Sequence, residues 1–415
     1  MIGDIHGEEG YHLGDEAMLI STIEYMAEIL PDYSPIVLSW YPDDVKSLYR
    51  CNTTFRYASS NKYKWFNVHL YFLLNAVYFR FTRRWLNIQF FPSLESIKEM
   101  IESSFILHTG SGSWNTAGKS GWWLFDILVY LWCAFLLDIP VLIVSQSLGP
   151  FSGKSIDKKI VSWLAKQTLQ LSNIRLVTVR DRIWSTELLS QLRSPNKNVG
   201  DAFDDAIWMP FAEDRLTEHF CKIYDIKPHS RFIVVSLSDV LSDASLKRFA
   251  MAFSKFLESH SEYKLVFIPH VWPTRDLDIH SKVSSYIDSQ EQVILVESFV
   301  DARLLKSLTA RATVVISSRY HGIVIAASVG VPGIAIVSND DYYRKMTGVI
   351  DMCKSPNISL LDAGGSEKEI LIALERSISL LKVNDLWFIH KELIHGLHNK
   401  DLIKRTLENF HIIGS

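Results

Sequence analysis

Short β-branched apolar runs that close on Gly, Ser, Asn, Asp or Arg recur along this chain, most of them far enough apart for a crossover helix. In the first half they are SPIVLSW from Ser34, SFILHTGSG from Ser104, VLIVSQSLGP from Val141 and IRLVTVRD from Ile174. In the second they are FIVVSLS, KLVFIPHVW, VILVES, TVVISSR and GIAIVS, beginning at Phe232, Lys264, Val293, Thr313 and Gly333. Strands that are apolar throughout need cover on both faces, which is the condition met in doubly wound α/β domains. A chain of 415 residues also exceeds one comfortable core. The pattern therefore predicts an α/β fold of two Rossmann-like, doubly wound domains facing a cleft, 1–210 and 230–415. The boundary falls between Asp204 and Ser230, where MPFAEDRLTEHF and IKPHS interrupt the rhythm.

A formal net charge of -3 gives no general attraction to nucleic acid, so any anionic ligand must be held by a local cluster. Cys51, Cys133, Cys221 and Cys353 are scattered, without a CxxC pair or a zinc-ligand spacing, so no metal site is predicted and a reducing, cytoplasmic setting is expected. The start MIGDIHGEEG has neither the basic nor the apolar region of a signal peptide. The apolar stretch Gly121 to Val144 is broken by Asp126, Asp138 and Pro140, and reads as a buried helix followed by a buried strand. The aromatic-rich insertion at 63–91, with Arg80, Arg83 and Arg84, has two readings. One is a helical insertion packed on the first domain; the other is a peripheral surface for anionic lipid or a lipid-linked acceptor at the inner face of the membrane.

The strongest chemical signal is TVVISSRYHGIVIAASVGVP, Thr313 to Pro332, a strand ending in polar residues that include Ser318 and leading into a small-residue helix. If the extended backbone continues, Arg319 and His321 share one face, and Gly322 lets a helix N-terminus approach closely. Ligands of such sheets sit beyond the carboxyl ends of the strands. The competing structural reading pairs Arg319 with a carboxylate and makes His321 a helix cap. Arg180, closing the run TVRD, offers a bidentate donor for carboxylate or phosphate, or else pairs with Asp181 or Asp201. Gly110 and Gly112 in HTGSGSWN let a ligand approach the backbone, although such loops are also ordinary tight turns. Neither a GxGxxG nor a GxxxxGK[ST] pattern occurs. Asp15 in GYHLGDEAML suits a ligand contact or a helix N-cap, and His270 in FIPHVWP ends another strand.

In order, GDEAM, HTGSGSWN, QSLGP, VRDRIWS, VGDAFDD, PH and SSRYHG with its downstream GVP resemble the successive signatures of the polysaccharide pyruvyl transferase family, from Gly10 to about Lys345. The resemblance implies a fold similar to two-domain GT-B glycosyltransferases. It implies phosphoenolpyruvate as donor, a cell-surface glycan or its lipid-linked precursor as acceptor, a pyruvate ketal and phosphate as products, and no cofactor, metal or nucleotide. It also implies His321 as general acid, Arg180 and Arg319 as the arginines that hold phosphoenolpyruvate, and Lys345 as a further binding residue. The resemblance is incomplete in that only Met1 and Ile2 precede Gly3 where an apolar strand is expected, and the glycine loop carries Ser111 and Ser113. The candidate substrate-binding set is thus Asp15, Gly110, Gly112, Arg180, His270, Ser318, Arg319 and Lys345.

Two other functions fit the same fold. A nucleotide-sugar glycosyltransferase needs an acidic residue near the base or ribose, for which Glu297 is the nearest candidate; a noncatalytic sugar-binding subunit would have no use for His321.

Overall fold

The structure, a computed structural model, describes residues 6–7, 10–39, 42–49, 51–55, 62–86, 94–109, 114–116, 122–151, 154–191, 197–272, 275–380 and 399–412. The chain forms two compact units. One comprises Met1–Glu8, Thr22–Asp204 and Leu397–Ser415, the other Glu9–Ser21 and Asp205–Gly396. A split into 1–210 and 230–415 therefore misses two exchanges: residues 9–21 belong with the second unit and residues 397–415 with the first. The first exchange ends inside helix Leu13–Ile29, so no break in the apolar rhythm marks it.

In the first unit, β1 (Ile36–Ser39) pairs in parallel with β2 (Asn52–Phe55). A four-stranded parallel sheet follows in the order β3 (Ile106–His108), β4 (Val141–Gln146), β5 (Ile174–Val179) and β6 (Asn198–Asp201). Side chains alternate across these strands. Val141, Ile143 and Val177 join the core formed with helices Lys62–Thr82, Trp122–Leu136 and Ile156–Thr168. Leu142, Val144 and Leu176 turn the other way, onto Tyr25 and Met26 of helix Leu13–Ile29 and Ile403 and Leu407 of helix Asn399–Asn409. The C-terminal helix is pinned by Asn399, whose amide donates to Ser145 Oγ at 2.5 Å and accepts from Thr178 Oγ1 at 2.7 Å.

The apolar stretch from Gly121 resolves into helix Trp122–Leu136 and strand β4, joined through Asp138, whose φ is 59°. Among the described residues no helix is long and apolar enough to cross a membrane. The predicted insertion contains helix Lys62–Thr82, fastened to Trp122–Leu136 by a buried contact of 2.6 Å between His69 Nε2 and Asp126 Oδ1. Residues 87–91 of that insertion lie outside the described residues.

The second unit holds a six-stranded parallel sheet of β7 (Arg231–Ser236), β8 (Tyr263–Phe267), β9 (Val293–Leu295), β10 (Val314–Ser317), β11 (Gly333–Val337) and β12 (Ile358–Asp362). Its spatial order is β9-β8-β7-β10-β11-β12. Counted along the chain this is third, second, first, fourth, fifth, sixth, the Rossmann order, and it reverses between β7 and β10. The crevice beyond the carboxyl ends of those two strands is where such sheets bind ligands. All nine apolar runs form strands. The short, more polar strands β2 and β6 and the edge strand β12 were not evident from periodicity.

Candidate functional site at the strand-order reversal

Strands β7 and β10 end in register at Ser236 and Ser317. Serines then tie the two exits together. Ser318 N–H donates to the Ser236 carbonyl at 3.0 Å, and Ser238 N–H donates to Ser318 Oγ at 2.9 Å. The Ser238 and Ser318 hydroxyls lie 2.8 Å apart, both buried. Ser318, a sequence candidate for ligand binding, thus spends its hydroxyl on the junction.

The predicted shared strand face for Arg319 and His321 is not what forms. Strand β10 stops at Ser317, Arg319 becomes the N-cap of helix Tyr320–Val329, and His321 sits in its first turn. The chain turns because Ser317 Oγ accepts from Arg319 N–H at 3.0 Å and donates to the Arg319 carbonyl at 2.9 Å. Arg319 has no acceptor with which to cap the helix, so the positive end of the helix dipole adds to its own charge. Gly322 makes the tight approach possible, since a β-carbon there would stand 2.4 Å from Ser317 Oγ. Arg319 and His321 still belong to one site, through a helix start instead of a strand.

Arg319 is oriented by Asp276, in the first turn of helix Arg275–Ser284. Nε donates to Oδ2 at 3.1 Å and Nη2 to Oδ1, with 14% and 0% of the two side chains exposed. Asp276 Oδ2 also accepts the N–H groups of His270 and Val271, each at 3.0 Å. Burial alone would raise the Asp276 pKa, but the Arg319 guanidinium outweighs it and holds the carboxyl below the usual range. The pair is thus ionised, and its four hydrogen bonds meet the condition under which a buried ion pair is tolerated. Among the described residues, Nη1 of Arg319 takes no acceptor, which leaves one edge of the guanidinium for an anion.

Three histidines surround this arginine. His270 is buried, its Nε2 has no hydrogen-bond partner among the described residues, and burial pushes its pKa down to about 3. It is a neutral imidazole at physiological pH. His12, which the sequence reading passed over, ends the short strand Gly10–His12, paired antiparallel with Val271–Trp272. Its pKa is lowered, first by burial and also by Arg319 and His321, against the raising effect of Asp15 and Asp276. The third, His321, rests over Gly14 and packs edge-on against Tyr320, with ring centroids 5.0 Å apart.

The N-terminal motif reaches this site because Leu13 N–H donates to the His270 carbonyl at 3.0 Å. Helix Leu13–Ile29 starts there, so Asp15 occupies its first turn and is not the N-cap. Glu16 is buried, its carboxylate accepting the Ala302 N–H at 2.9 Å, at the start of helix Ala302–Arg311. Tyr342, in helix Asp340–Cys353, also faces the arginine; burial raises its pKa and Arg319 partly offsets this. Lys345, one turn along, has Nζ 5.8 Å from the centre of the Tyr342 ring. The second unit thus gathers Asp15, His270, Ser318, Arg319, His321 and Lys345 from the predicted set and adds His12, Gly14, Asp276 and Tyr342. His12 and Gly14 lie inside a motif read for its acidic residues, and Asp276 has only the short segment after HVW to announce it.

The remaining candidates belong to the first unit. Gly110 and Gly112 lie outside the described residues. Arg180 follows β5 and was expected to offer its guanidinium to an anion, or to pair with Asp181 or Asp201. Its Nη1 instead meets Asp204 Oδ2 at 2.5 Å and its Nε donates to Ser147 Oγ at 3.1 Å, with 2% and 3% of the paired side chains exposed. Asp201 takes Arg182 at 3.0 Å, and Asp181 accepts Ser185 Oγ at 2.6 Å together with the Trp184 and Ser185 N–H groups. Ser185 Oγ in turn accepts from Leu148 N–H at 2.9 Å, which fixes the QSLGP turn. Parallel pairing of β5 with β6 brings the residues after both strands together, and this selects Asp204 for Arg180.

Comparison with known proteins supports the fold. The UDP-GlcNAc 2-epimerase of Methanocaldococcus jannaschii matches with a TM-score of 0.60 at 11% identity, covering 91% of each chain. The UDP-GlcNAc 2-epimerase of Neisseria meningitidis bound to UDP-GlcNAc gives 0.60 at 12% identity and 98% coverage of each chain. A glycosyltransferase from Rickettsia africae gives 0.56 at 13% identity, covering 99% of this chain and 97% of its own. At such identities the likeness is one of fold, two Rossmann-like units of the GT-B type. A search of curated protein sequences finds no match. The sequence profile of the family described as polysaccharide pyruvyl transferase matches residues 12–341, a span that runs from His12 through the SSRYHG segment, and the chain belongs to that family.

Proposed function

We propose that this transferase moves the enolpyruvyl unit of phosphoenolpyruvate onto two hydroxyls of one sugar, closing a pyruvate ketal and releasing phosphate, with no metal or nucleotide. The observation that carries the reading is Arg319 at the N-cap of helix Tyr320–Val329, with His321 in the same turn, at the point where the strand order reverses. Phosphoenolpyruvate bears a carboxylate and a phosphate, and both the free edge of Arg319 and a helix N-terminus suit such groups. Forming a ketal from an enol ether requires a proton at the methylene carbon, which becomes the ketal methyl group. Protonated His321 is the donor in this reading. The first sugar hydroxyl then adds to the cationic carbon and the second displaces phosphate, their two protons replacing the one given by His321 and leaving with phosphate. The neutral imidazole of His270 adds no positive charge beside the developing cation. The acceptor is a sugar of a cell-surface polysaccharide or of its lipid-linked precursor.

Calorimetric titration with phosphoenolpyruvate, in parallel with UDP, GDP and CMP sugars and with and without magnesium, tests the donor. Metal-independent phosphoenolpyruvate binding that weakens roughly tenfold or more in Arg319→Ala, the scale of a lost charge-assisted contact, is expected. Selective binding of a nucleotide sugar would replace this reading with glycosyl transfer.

A further inference from the structure

The helices on one side of the first unit's sheet carry large apolar side chains on their solvent side. On helix Lys62–Thr82 these are Leu70, Leu74, Val77 and Phe81, spaced by four, three and four residues, so they form one stripe. Phe81 is 80% exposed. The opposite side of the same helix is in the core, through Val68, Phe72 and Ala76. Helix Ile156–Thr168 repeats the arrangement, with Ile156, Ile160 and Trp163 at 75%, 51% and 60% exposure on one side and Val161 and Ala165 in the same core. Helix Trp122–Leu136 packs against both of these helices. A folded domain has no structural reason to leave two such stripes in water.

Basic residues outnumber acidic ones on these two helices. From Lys62 to Leu86 the sequence has the basic residues Lys62, Lys64, Arg80, Arg83 and Arg84 and no acidic one, in a chain whose net charge is -3. Arg83 and Arg84 are exposed, the former 5.7 Å from the centre of the Phe79 ring, which stacks on Trp85 at 4.5 Å. Arg80 closes the end of helix Trp122–Leu136 through the Leu136 carbonyl at 2.7 Å and Asp138 at 3.1 Å. Lys154, Lys159 and Lys166 are exposed at or on helix Ile156–Thr168, whose one acidic residue is Asp157. Apolar stripes accompanied by basic and aromatic side chains match an anionic lipid surface, into which the apolar side chains sink while the cations meet the headgroups.

We infer that helices Lys62–Thr82 and Ile156–Thr168 form a membrane-docking face for anionic bilayers. Binding is peripheral and reversible, needs both the apolar stripe and the basic residues, and does not depend on the proposed donor.

Co-sedimentation of the full chain with phosphatidylcholine vesicles, with and without phosphatidylglycerol, tests this. Pelleting is expected only with the anionic lipid, reduced tenfold or more by Leu74→Glu with Phe81→Glu or by Trp163→Glu, and weakened by Arg83→Glu with Arg84→Glu and by salt. These positions are exposed, so circular dichroism and phosphoenolpyruvate binding should be unchanged. Equal binding to neutral and anionic vesicles, or none, would overturn the proposal. So would sedimentation velocity showing a second copy on this face, dissociated by Leu74→Glu, in a protein that ignores vesicles.

Discussion

Gly14 is the floor under His321: a β-carbon at position 14 would stand 1.8 Å from the imidazole Nδ1 and 2.3 Å from Cγ. Nothing can occupy that position unless the ring moves. Gly14→Ala is therefore expected to displace the imidazole and lower phosphate release by on the order of a hundredfold or more, the scale of a misplaced general acid. Position 14 lies in a helix, where alanine is locally favoured over glycine by about 1 kcal/mol, so the loss of stability should be smaller than the loss of rate implies. Steady-state phosphate release alongside thermal unfolding separates the two, and an unchanged rate would show that the position of His321 does not matter.

In the proposed reaction, Asp276 acts on phosphoenolpyruvate only through Arg319. Asp276→Asn keeps the shape but removes the charge and one of the acceptors of a bidentate contact, and should raise KM for phosphoenolpyruvate roughly tenfold with a smaller change in kcat. Titration of donor binding in this variant and in Arg319→Lys checks the assignment. A pure fall in kcat would place Asp276 elsewhere in the cycle.

For Arg180 the burial of its pair decides the expected phenotype. Arg180→Ala leaves Asp204 charged and enclosed, a change that typically costs about 3–5 kcal/mol. Chemical denaturation should show this loss before any binding defect can be read. Arg180→Met with Asp204→Leu should recover much of the stability, and the double variant is the one in which a direct role in donor binding can be measured.

Stability should fall on acidification. His280 and His270 have pKa values held near 4 and 3 by burial, against about 6.5 in an unfolded chain. Below pH 6.5 the unfolded chain takes up protons that the folded one refuses, so stability drops progressively until the folded values are reached. The depressed carboxyl of Asp276 acts in the same direction at lower pH, as its folded pKa is approached. His280 Nε2 accepts the Leu237 N–H at 2.9 Å, so His280→Gln can retain an acceptor while removing one titration. Thermal melts between pH 7 and 4.5 should show a shallower decline in this variant than in the parent.

The sheets were legible because buried parallel strands write themselves as continuous apolar runs; Val141 to Val144 or Ile233 to Val235 admit little else. Polar strands such as Asn52–Phe55 wrote nothing comparable. The SSRYHG segment was legible as a site for its position before a small-residue helix, although its backbone turned at Ser317 by a serine hydrogen bond that periodicity does not encode. His12 and Asp276 were invisible for a different reason. His12 is brought to Arg319 by pairing of Gly10–His12 with Val271–Trp272, and Asp276 meets it through its carboxylate, both contacts between segments far apart in sequence. Arg180 looked like a ligand donor because a strand-closing arginine has no local mark of which of the aspartates Asp181, Asp201 and Asp204 will neutralise it.

The exchange of terminal segments between the units sets an order of events during synthesis. The second face of the first unit's sheet, where Leu142, Val144 and Leu176 lie, receives Ile403 and Leu407 only when helix Asn399–Asn409 has been made. Gly14 waits for His321, much later in the chain, before it has anything to support. The first unit cannot finish on the ribosome until the whole of the second has been made, so a nascent chain exposes its apolar surface for longer than sequential domains would. Premature termination before Asn399 would leave a polypeptide with all of its described strands, an uncovered core, and a strong tendency to aggregate.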